Sequence, residues 1–406
     1  MNLPKAVVIA AAALCLTVAA AEIVARTVFG LQPLMFGYPY HPLLVSGDYY
    51  YLNTNEQLAN GPGGPTAYGY QEGLFGYHYD PKTKAPHTSS NFTDFLFNHT
   101  RSRYSSAEVD GIECADKDAA AVFVLGGSVA QGFSASSPQT TWHGVLEGLL
   151  RRETNRQDVY LFNAAMGAFF SLQEKLAYYL AVVPRKGDAV LFLNSYNDLV
   201  VPANAGTRPG DPFQLATRFS QFFGNGFVWW LAKHSAIVNG LIEADFVRHA
   251  LAYRKELEQD DGTFAQYAET VTDIYMENMS EVLDDCDGRR KSCLVAIQPN
   301  RALTAMNIGV KADDIISERR VKQLYDLLFA KIEKSAHRAS FIDLTHVFDS
   351  VEKIKYFVDT VHPDDRGQAL IAEALLEPTR ALVTSGVGKT APTGPCRQRG
   401  AALESK

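Results

Sequence analysis

Cysteine is scarce in this chain: five in 406 residues, at Cys15, Cys114, Cys286, Cys293 and Cys396. That is too few for a disulfide-framed fold, and no pair of them is accompanied by histidines at zinc-site spacing. Basic residues never cluster. With a formal net charge of -7 and no Lys/Arg-rich run, the chain lacks the positive field that binds a phosphate backbone, which excludes nucleic acid as a partner. The ten histidines are scattered, and no grouping calls for a metal or an organic cofactor. One long apolar run occurs, Ala6 to Ala21, after the single positive charge of Lys5.

That run is either a secretory signal peptide or an uncleaved signal anchor over residues 1–30. Small residues at Ala19, Ala20 and Ala21 suit a signal peptidase. Apolar character resumes after Glu22 through Ile23, Val24 and Val28, which brings the span close to membrane thickness and favours the anchor. Leu14 before Cys15 argues against lipidation. In both cases the bulk of the protein is expected outside the cytoplasm, anchored to the membrane and facing the periplasm or the extracellular side, or secreted after cleavage. Cys286 and Cys293 are then placed to bridge the polar turn between them. Three N-x-S/T sequons, at Asn91, Asn98 and Asn278, matter only in a eukaryotic secretory pathway.

Residues 31–118 are rich in Tyr, Gly, Pro and Asn, as in GYPYHP and NGPGGPTAYGYQEG, and predict irregular, turn-dominated structure. The tyrosines either pack this region on the main domain as a wrap or line a sugar-binding surface; the wrap is the simpler reading. From Ala119 the texture changes. AAVFVLGG, DVYLFNAA, DAVLFLNS, CLVAIQPN and ASFIDLT are continuous apolar runs of strand length, as expected for strands buried on both faces. Helical patterns over Thr141–Glu153, Leu172–Val183, Phe264–Leu283 and Asp314–Ser335 lie between them. Such alternation predicts a three-layer α/β/α sandwich with a mainly parallel five-stranded sheet over residues 119–384. An insertion at about 201–261, carrying NGFVWWLAKHSAIVNGLIEADF, interrupts it and either caps a pocket, lies near a membrane, or packs on the domain. The tail 385–406 is expected to be disordered; its SGVGKT has Val383 where a phosphate-binding loop needs its first glycine.

Two segments far apart in sequence carry the chemistry. VFVLGGSVAQG places Ser128 where an apolar strand breaks into Gly126 and Gly127, and DTVHPDDRG places Asp359 and His362 on one turn. Together they supply a nucleophile, a base and the carboxylate that orients the base. Two further strand ends add donors for a developing oxyanion: Gly167 after the second run, then Asn194, Asn197 and Asp198 after the third. Each taken alone reads as a turn or a helix cap, and Pro363 with Asp364 offers such a reading for the histidine loop.

In order and spacing the segments LGGS, FNAAMG, SYND and DTVH resemble the four blocks of the SGNH, or GDSL-type, hydrolase family. The resemblance spans about Ala119 to Leu376, apart from the insertion. It implies Ser128 as nucleophile, His362 as base and Asp359 as its partner, with Gly167 and Asn197 joining the Ser128 amide in the oxyanion hole. Two departures stand out: Gly-Gly-Ser-Val replaces Gly-Asp-Ser-Leu, and Ser195 occupies the usual glycine of the asparagine block. An ordinary α/β-hydrolase fits less well, because it wants glycine at Ala130 and keeps its acid and histidine on separate loops. The N-terminal run with Glu22, Arg26 and the long lead-in looks like envelope-associated bacterial members of the family.

The expected activity is that of a serine esterase or acylhydrolase acting outside the cytoplasm, removing acetyl or another acyl group from an envelope carbohydrate or lipid ester. Two alternatives stay open: an O-acyltransferase using the same site, and a non-catalytic polysaccharide-binding protein of envelope assembly.

Overall fold

The computed structural model describes residues 5–28, 68–69, 78–79, 96–97, 101–115, 119–207, 209–210, 231–303, 316–349 and 356–384, apart from positions 168, 186, 188, 232 and 233. Helix α1, Lys5–Thr27, comes first. Among the described residues no helix is long and apolar enough to cross a membrane. Glu22 near the end of α1 takes part in an ion pair with Arg26 at 2.6 Å and accepts from the hydroxyl of Ser235, so α1 is tied to the body of the protein.

Most of the region 31–118 lies outside the described residues, and its last part departs from the expected irregular structure. Ser106–Ala115 form helix α2. The reason is a capping box: Glu108 Oε2 accepts from Ser105 N at 2.7 Å, while Ser105 Oγ faces Glu108 N at 3.4 Å. Just before it, Tyr104 packs edge-on against Tyr160 and Phe162, and its hydroxyl donates to the buried carboxylate of Glu147. Burial, and then the neighbouring Glu147 charge, push the Tyr104 phenol up to about 12. This tyrosine packs on the main domain.

Five strands follow, all parallel: β1 Ala120–Gly126, β2 Val159–Asn163, β3 Ala189–Asn194, β4 Ser292–Ile297 and β5 Phe341–Asp343. Their order across the sheet is β2-β1-β3-β4-β5. Val122 to Leu125 and Val190 to Leu193 have no exposed surface, which is why these runs are apolar throughout instead of alternating. Each such side chain contributes about 2 kcal/mol by burial.

Helices cover both faces. On one, α4 (Trp142–Thr154) packs on β2 and on the final helix, which also touches β1. Thr141 caps α4 by accepting from Gly144 N at 3.1 Å. On the other lie α5 (Ser171–Ala177), α9 (Asp261–Arg289) and α10 (Glu318–Ile332), with α5 against β1 and α9 against β4. After Ala177 the expected single helix widens into a π-turn over Tyr178–Val182. Short helices α3 (Ser128–Gln131), α6 (Tyr196–Leu199) and α7 (Val201–Ala205) sit after strands β1 and β3. The described second half of the insertion is helix α8, Ala236–Gln259, which packs on α1, α7 and α9. The chain closes with α11, Asp365–Thr384, and the tail with its SGVGKT motif lies outside the described residues.

Two expectations about local structure are settled here. Cys286 and Cys293 are bridged, with Cα atoms 6.2 Å apart. Because α9 runs on to Arg289, the bridge joins a helix to strand β4 instead of closing a free turn. Cys114 is also disulfide-bonded. The segment IKYFVD reads as a further strand, and its described part is not one: Phe357 makes only an isolated bridge to Pro363. Among the described residues the sheet ends at β5, and the apolar residues serve packing, with Tyr356 stacked on Phe348 at 5.3 Å and Phe357 edge-on to it at 5.0 Å.

Candidate active site

A parallel sheet places the ends of all its strands at one edge, and in this strand order the connections reverse direction at β1. The crevice between the C-terminal ends of β1 and β3 is therefore where a ligand is best received. Ser128 follows β1 and Asn197 follows β3, so the topology alone brings two distant blocks together.

The turn after β1 requires glycine for two separate reasons. Gly126 has φ +143°, and a Cβ there would lie 2.3 Å from the Leu193 carbonyl oxygen. Gly127, the N-cap of α3, is closed off by Asn197, whose Nδ2 would be 2.6 Å from an added Cβ. The chain thereby turns sharply, and Ser128 starts a helix at the mouth of the crevice.

His362 Nε2 lies 2.7 Å from Ser128 Oγ, and His362 Nδ1 lies 2.6 Å from Asp359 Oδ2. Asp359 is itself held, since its Oδ1 accepts from the backbone N–H groups of Val361 at 2.9 Å and His362 at 2.7 Å. The carboxylate thus holds a hydrogen on Nδ1 and leaves Nε2 free to accept from the serine hydroxyl. Both side chains are 6% exposed. Phe133 covers the imidazole with ring centroids 5.3 Å apart. Asp364, the other carboxylate of the loop, does the capping: its Oδ1 accepts from Gly367 N at 2.9 Å at the start of α11.

The donors converge on the same place. A Cβ on Gly167 would be 3.9 Å from Ser128 Cβ. Asn197 Nδ2 donates to the Phe169 carbonyl at 2.8 Å, which uses one hydrogen of an amide that carries two. Asn194 points elsewhere: its Oδ1 accepts from the buried Tyr275 hydroxyl at 2.6 Å, and its Nδ2 donates to Glu174. Asp198 faces inward onto Ser171. Of the candidates at this strand end, only Asn197 stands beside the serine turn.

Ser195 shows what became of the missing glycine in the asparagine block. Its backbone sits at φ +110°, ψ -43°, a conformation L-residues rarely adopt, so the loop keeps a glycine-like path with a serine in it. The Ser195 hydroxyl lies 3.2 Å from the buried Tyr325 hydroxyl.

Residues that no motif marks also hold the site. Ser134 Oγ donates to the Pro363 carbonyl, and Ser136 N donates to Asp365 Oδ1 at 2.8 Å, so the loop after the serine is latched to the loop after the histidine. Gln368 accepts from Trp142 N at 2.9 Å and donates to Pro363, locking α4 to the same loop. The Ser-rich stretch Ser134 to Ser137 signals a turn in sequence, but its partners 229 residues away are set only by the fold.

Among the described residues no group of three or more His, Cys, Asp or Glu side chains is arranged to hold a metal ion. What the site has is a hydroxyl, an imidazole on an oriented carboxylate, and amide donors on two flanking loops. Chemically, that set can deprotonate a serine and stabilise the tetrahedral oxyanion formed when it attacks a carbonyl.

No protein-family model matches the sequence, and no curated protein matches it closely enough to count as a relative. Several solved structures align with part of the chain. They include an acetylxylan esterase from Geobacillus stearothermophilus, 14% identical over 68% of this chain and 99% of that one with a TM-score of 0.38. A lipase from a goat rumen metagenome is 16% identical over 63% and 95% of the two chains, TM-score 0.38. A member of the lipolytic G-D-S-L family from Veillonella parvula is 14% identical over 63% and 96%, TM-score 0.33. At these values the likenesses decide neither activity nor substrate, and the geometry above stands by itself. The parallel strand order and the convergence of the four sequence blocks on one crevice are what the sequence resemblance to the SGNH, or GDSL-type, hydrolases implies.

Proposed function

We propose that the protein is a serine-dependent ester hydrolase, with Ser128 as nucleophile, His362 as general base and Asp359 as the carboxylate that orients it. The observation that carries this is the unbroken chain from Ser128 Oγ through His362 to Asp359, at 2.7 and 2.6 Å. Ser128 attacks the ester carbonyl as His362 takes its proton; the oxyanion is received by the Ser128 and Gly167 backbone amides and the Asn197 side chain. His362 then protonates the leaving alcohol, and a water deprotonated by the same imidazole releases the acid.

The proposal extends to place and substrate class. An extracytoplasmic site of action is supported by the Cys286–Cys293 bridge, a bond that persists in oxidising compartments. The apolar N-terminal run tethers the protein to the membrane in this reading, and the acyl ester is carried on an envelope carbohydrate or lipid.

The test is hydrolysis of a small chromogenic acetate ester by the purified protein and by Ser128→Ala. Loss of about 10³-fold or more in turnover is expected, since nucleophile and base act as a unit. Equal rates would overturn the proposal. Product analysis with an added sugar acceptor separates free acid, the hydrolase outcome, from an acylated sugar, the transferase outcome.

A further inference from the structure

We propose that Asp198 is a positioning residue for the oxyanion pocket, clasping the Gly167-bearing loop to the Asn197-bearing turn. The inference rests on the serine-hydrolase reading above and adds to it the element that sets the spacing of two of its donors.

Asp198 is 4% exposed and follows Asn197 directly on α6. Its two oxygens share the backbone N–H of Ser171 at 3.1 and 3.0 Å, and the Ser171 hydroxyl donates to Oδ1. That hydroxyl is steered: Asn278 Nδ2 donates to Ser171 Oγ at 2.9 Å, so the serine's own hydrogen is turned toward the carboxylate. Ser171 is the first residue of α5, and Phe169, two residues earlier, accepts from Asn197 Nδ2 at 2.8 Å. Adjacent residues 197 and 198 therefore grip the same three-residue stretch, 169–171, at both of its ends. Gly167 precedes that stretch by two residues.

An ionised carboxylate suits this clasp because it only accepts: from the Ser171 N–H and hydroxyl and from its own backbone N–H. An amide in its place would turn an NH₂ toward the Ser171 N–H or hydroxyl hydrogen, donor against donor. Among the described residues the ionisable groups that interact with Asp198 are Glu174 on α5, Tyr267 and Tyr275 on α9, and Tyr325 on α10. None is a cation. Burial pushes the carboxyl up to about 6, against the lowering pull of the Ser171 bonds. The clasp is thus charged at neutral pH and takes up a proton as the pH falls through that value.

The experiment measures kcat and KM on the chromogenic acetate for Asp198→Asn, Ser171→Ala, Asn197→Ala and the double variant Asp198→Asn/Asn197→Ala, each checked for folding by near-UV circular dichroism. Asp198→Asn is expected to lower kcat about 10-fold with KM unchanged within about two-fold, since a small displacement of a donor is costly. Its effect should shrink in the Asn197→Ala background, because only the Gly167 donor is then left to position. The acidic limb of kcat/KM should carry an extra step of about 10-fold near pH 6 in the wild type, where Asp198 takes up its proton, and lack that step in Asp198→Asn. Full multiplication of the two losses, or identical limbs, would overturn the clasp. If Asp198→Asn does not fold, Ser171→Ala, which keeps the backbone N–H, carries the same cycle with Asn197→Ala. Ser128→Ala is assayed alongside: wild-type rates there sink the serine-hydrolase reading, whereas an inactive Ser128→Ala beside a fully active Asp198→Asn sinks the clasp alone.

Discussion

Gly127 and Asn197 fit against each other so closely that one methyl group would part them, since a Cβ on Gly127 would stand 2.6 Å from Asn197 Nδ2. The SGNH pattern carries aspartate at this position of the serine block, and here the asparagine amide occupies the space a side chain would need. Gly127→Ala is therefore expected to push Asn197 away from the oxyanion position and to lower turnover about 10²-fold, the effect of one lost donor. Thermal unfolding should move by only a few degrees. A variant with unimpaired turnover would show that Asn197 does not serve the reaction from this position.

Ser195 reverses an ordinary rule. At φ +110° an L-residue is strained, at a cost of about 1–3 kcal/mol, while its hydroxyl bond to Tyr325 returns about 1 kcal/mol. Alanine keeps the strain and loses the bond; glycine loses both. Ser195→Gly should accordingly be more stable than Ser195→Ala by about 1–2 kcal/mol, opposite to the usual ranking of these residues. Urea unfolding of the two variants decides it, and the ordinary order would mean that this backbone is relaxed.

Glu147 makes a prediction about the wrap. Its carboxylate has no exposed side-chain surface and receives Arg103 at 2.8 Å, Arg151 at 2.9 Å, the Tyr104 hydroxyl at 2.8 Å and Leu161 N at 2.9 Å. Both arginines keep 23% of their side-chain surface in solvent and can be rehydrated when the partner is lost. Glu147→Ala should then cost about 3 kcal/mol, the low end for breaking a buried pair. Limited proteolysis should cut near residues 101–104 sooner in the variant. An unchanged cleavage rate there would show that Glu147 does not hold this segment down.

What could be read in the sequence follows what a one-dimensional pattern records. The interiors of β1 to β4 are runs of consecutive apolar residues because both faces are covered, and that signal survives without knowledge of the neighbours. Ser128, Gly167 and Asn197 are legible because a parallel sheet collects strand ends at one edge, so a residue type at a strand end already implies a location, whereas Asp359 and His362 follow no strand among the described residues and are marked only by sharing one turn. Tyr356 and Phe357 misled because an apolar run carries the same pattern whether a sheet or an aromatic cluster buries it. Helix α2 was hidden by the composition around it, although Ser105 and Glu108 spell its cap. The latches of Ser134 and Ser136, the positive φ of Ser195 and the burial of Glu174 leave no local mark at all. Glu174 in SLQEKLA looks like a solvated helix face, and only the packing of α9 over α5 shows that it is not.

That burial has a consequence for stability. Glu174 is 1% exposed, receives Asn194 Nδ2 on Oε2, and has no partner for Oε1 among the described residues. Burial first, and then the Asp198 charge, raise its carboxyl well above the ordinary value, and the Asn194 donor offsets only part of this. In the unfolded chain Glu174 ionises in the usual carboxylate range; in the folded protein it keeps its proton to higher pH. Over the interval between, the folded state binds a proton the unfolded state has lost, so stability falls as pH rises, by up to about 1.4 kcal/mol per pH unit. Asp198 acts with the same sign between the usual aspartate range and about 6. Glu174→Gln keeps an oxygen for Asn194, and its amide hydrogens replace the lone acid hydrogen near Oε1, so the neutral side chain is mimicked and the titration removed. Urea unfolding from pH 5 to pH 8 should show the wild type losing stability across that range and Glu174→Gln losing less, with the variant the more stable of the two at pH 8 and the difference small at pH 5. Parallel profiles for the two proteins would mean that Glu174 is already ionised in the fold, and the cause would then have to be a cation or water reaching Oε1.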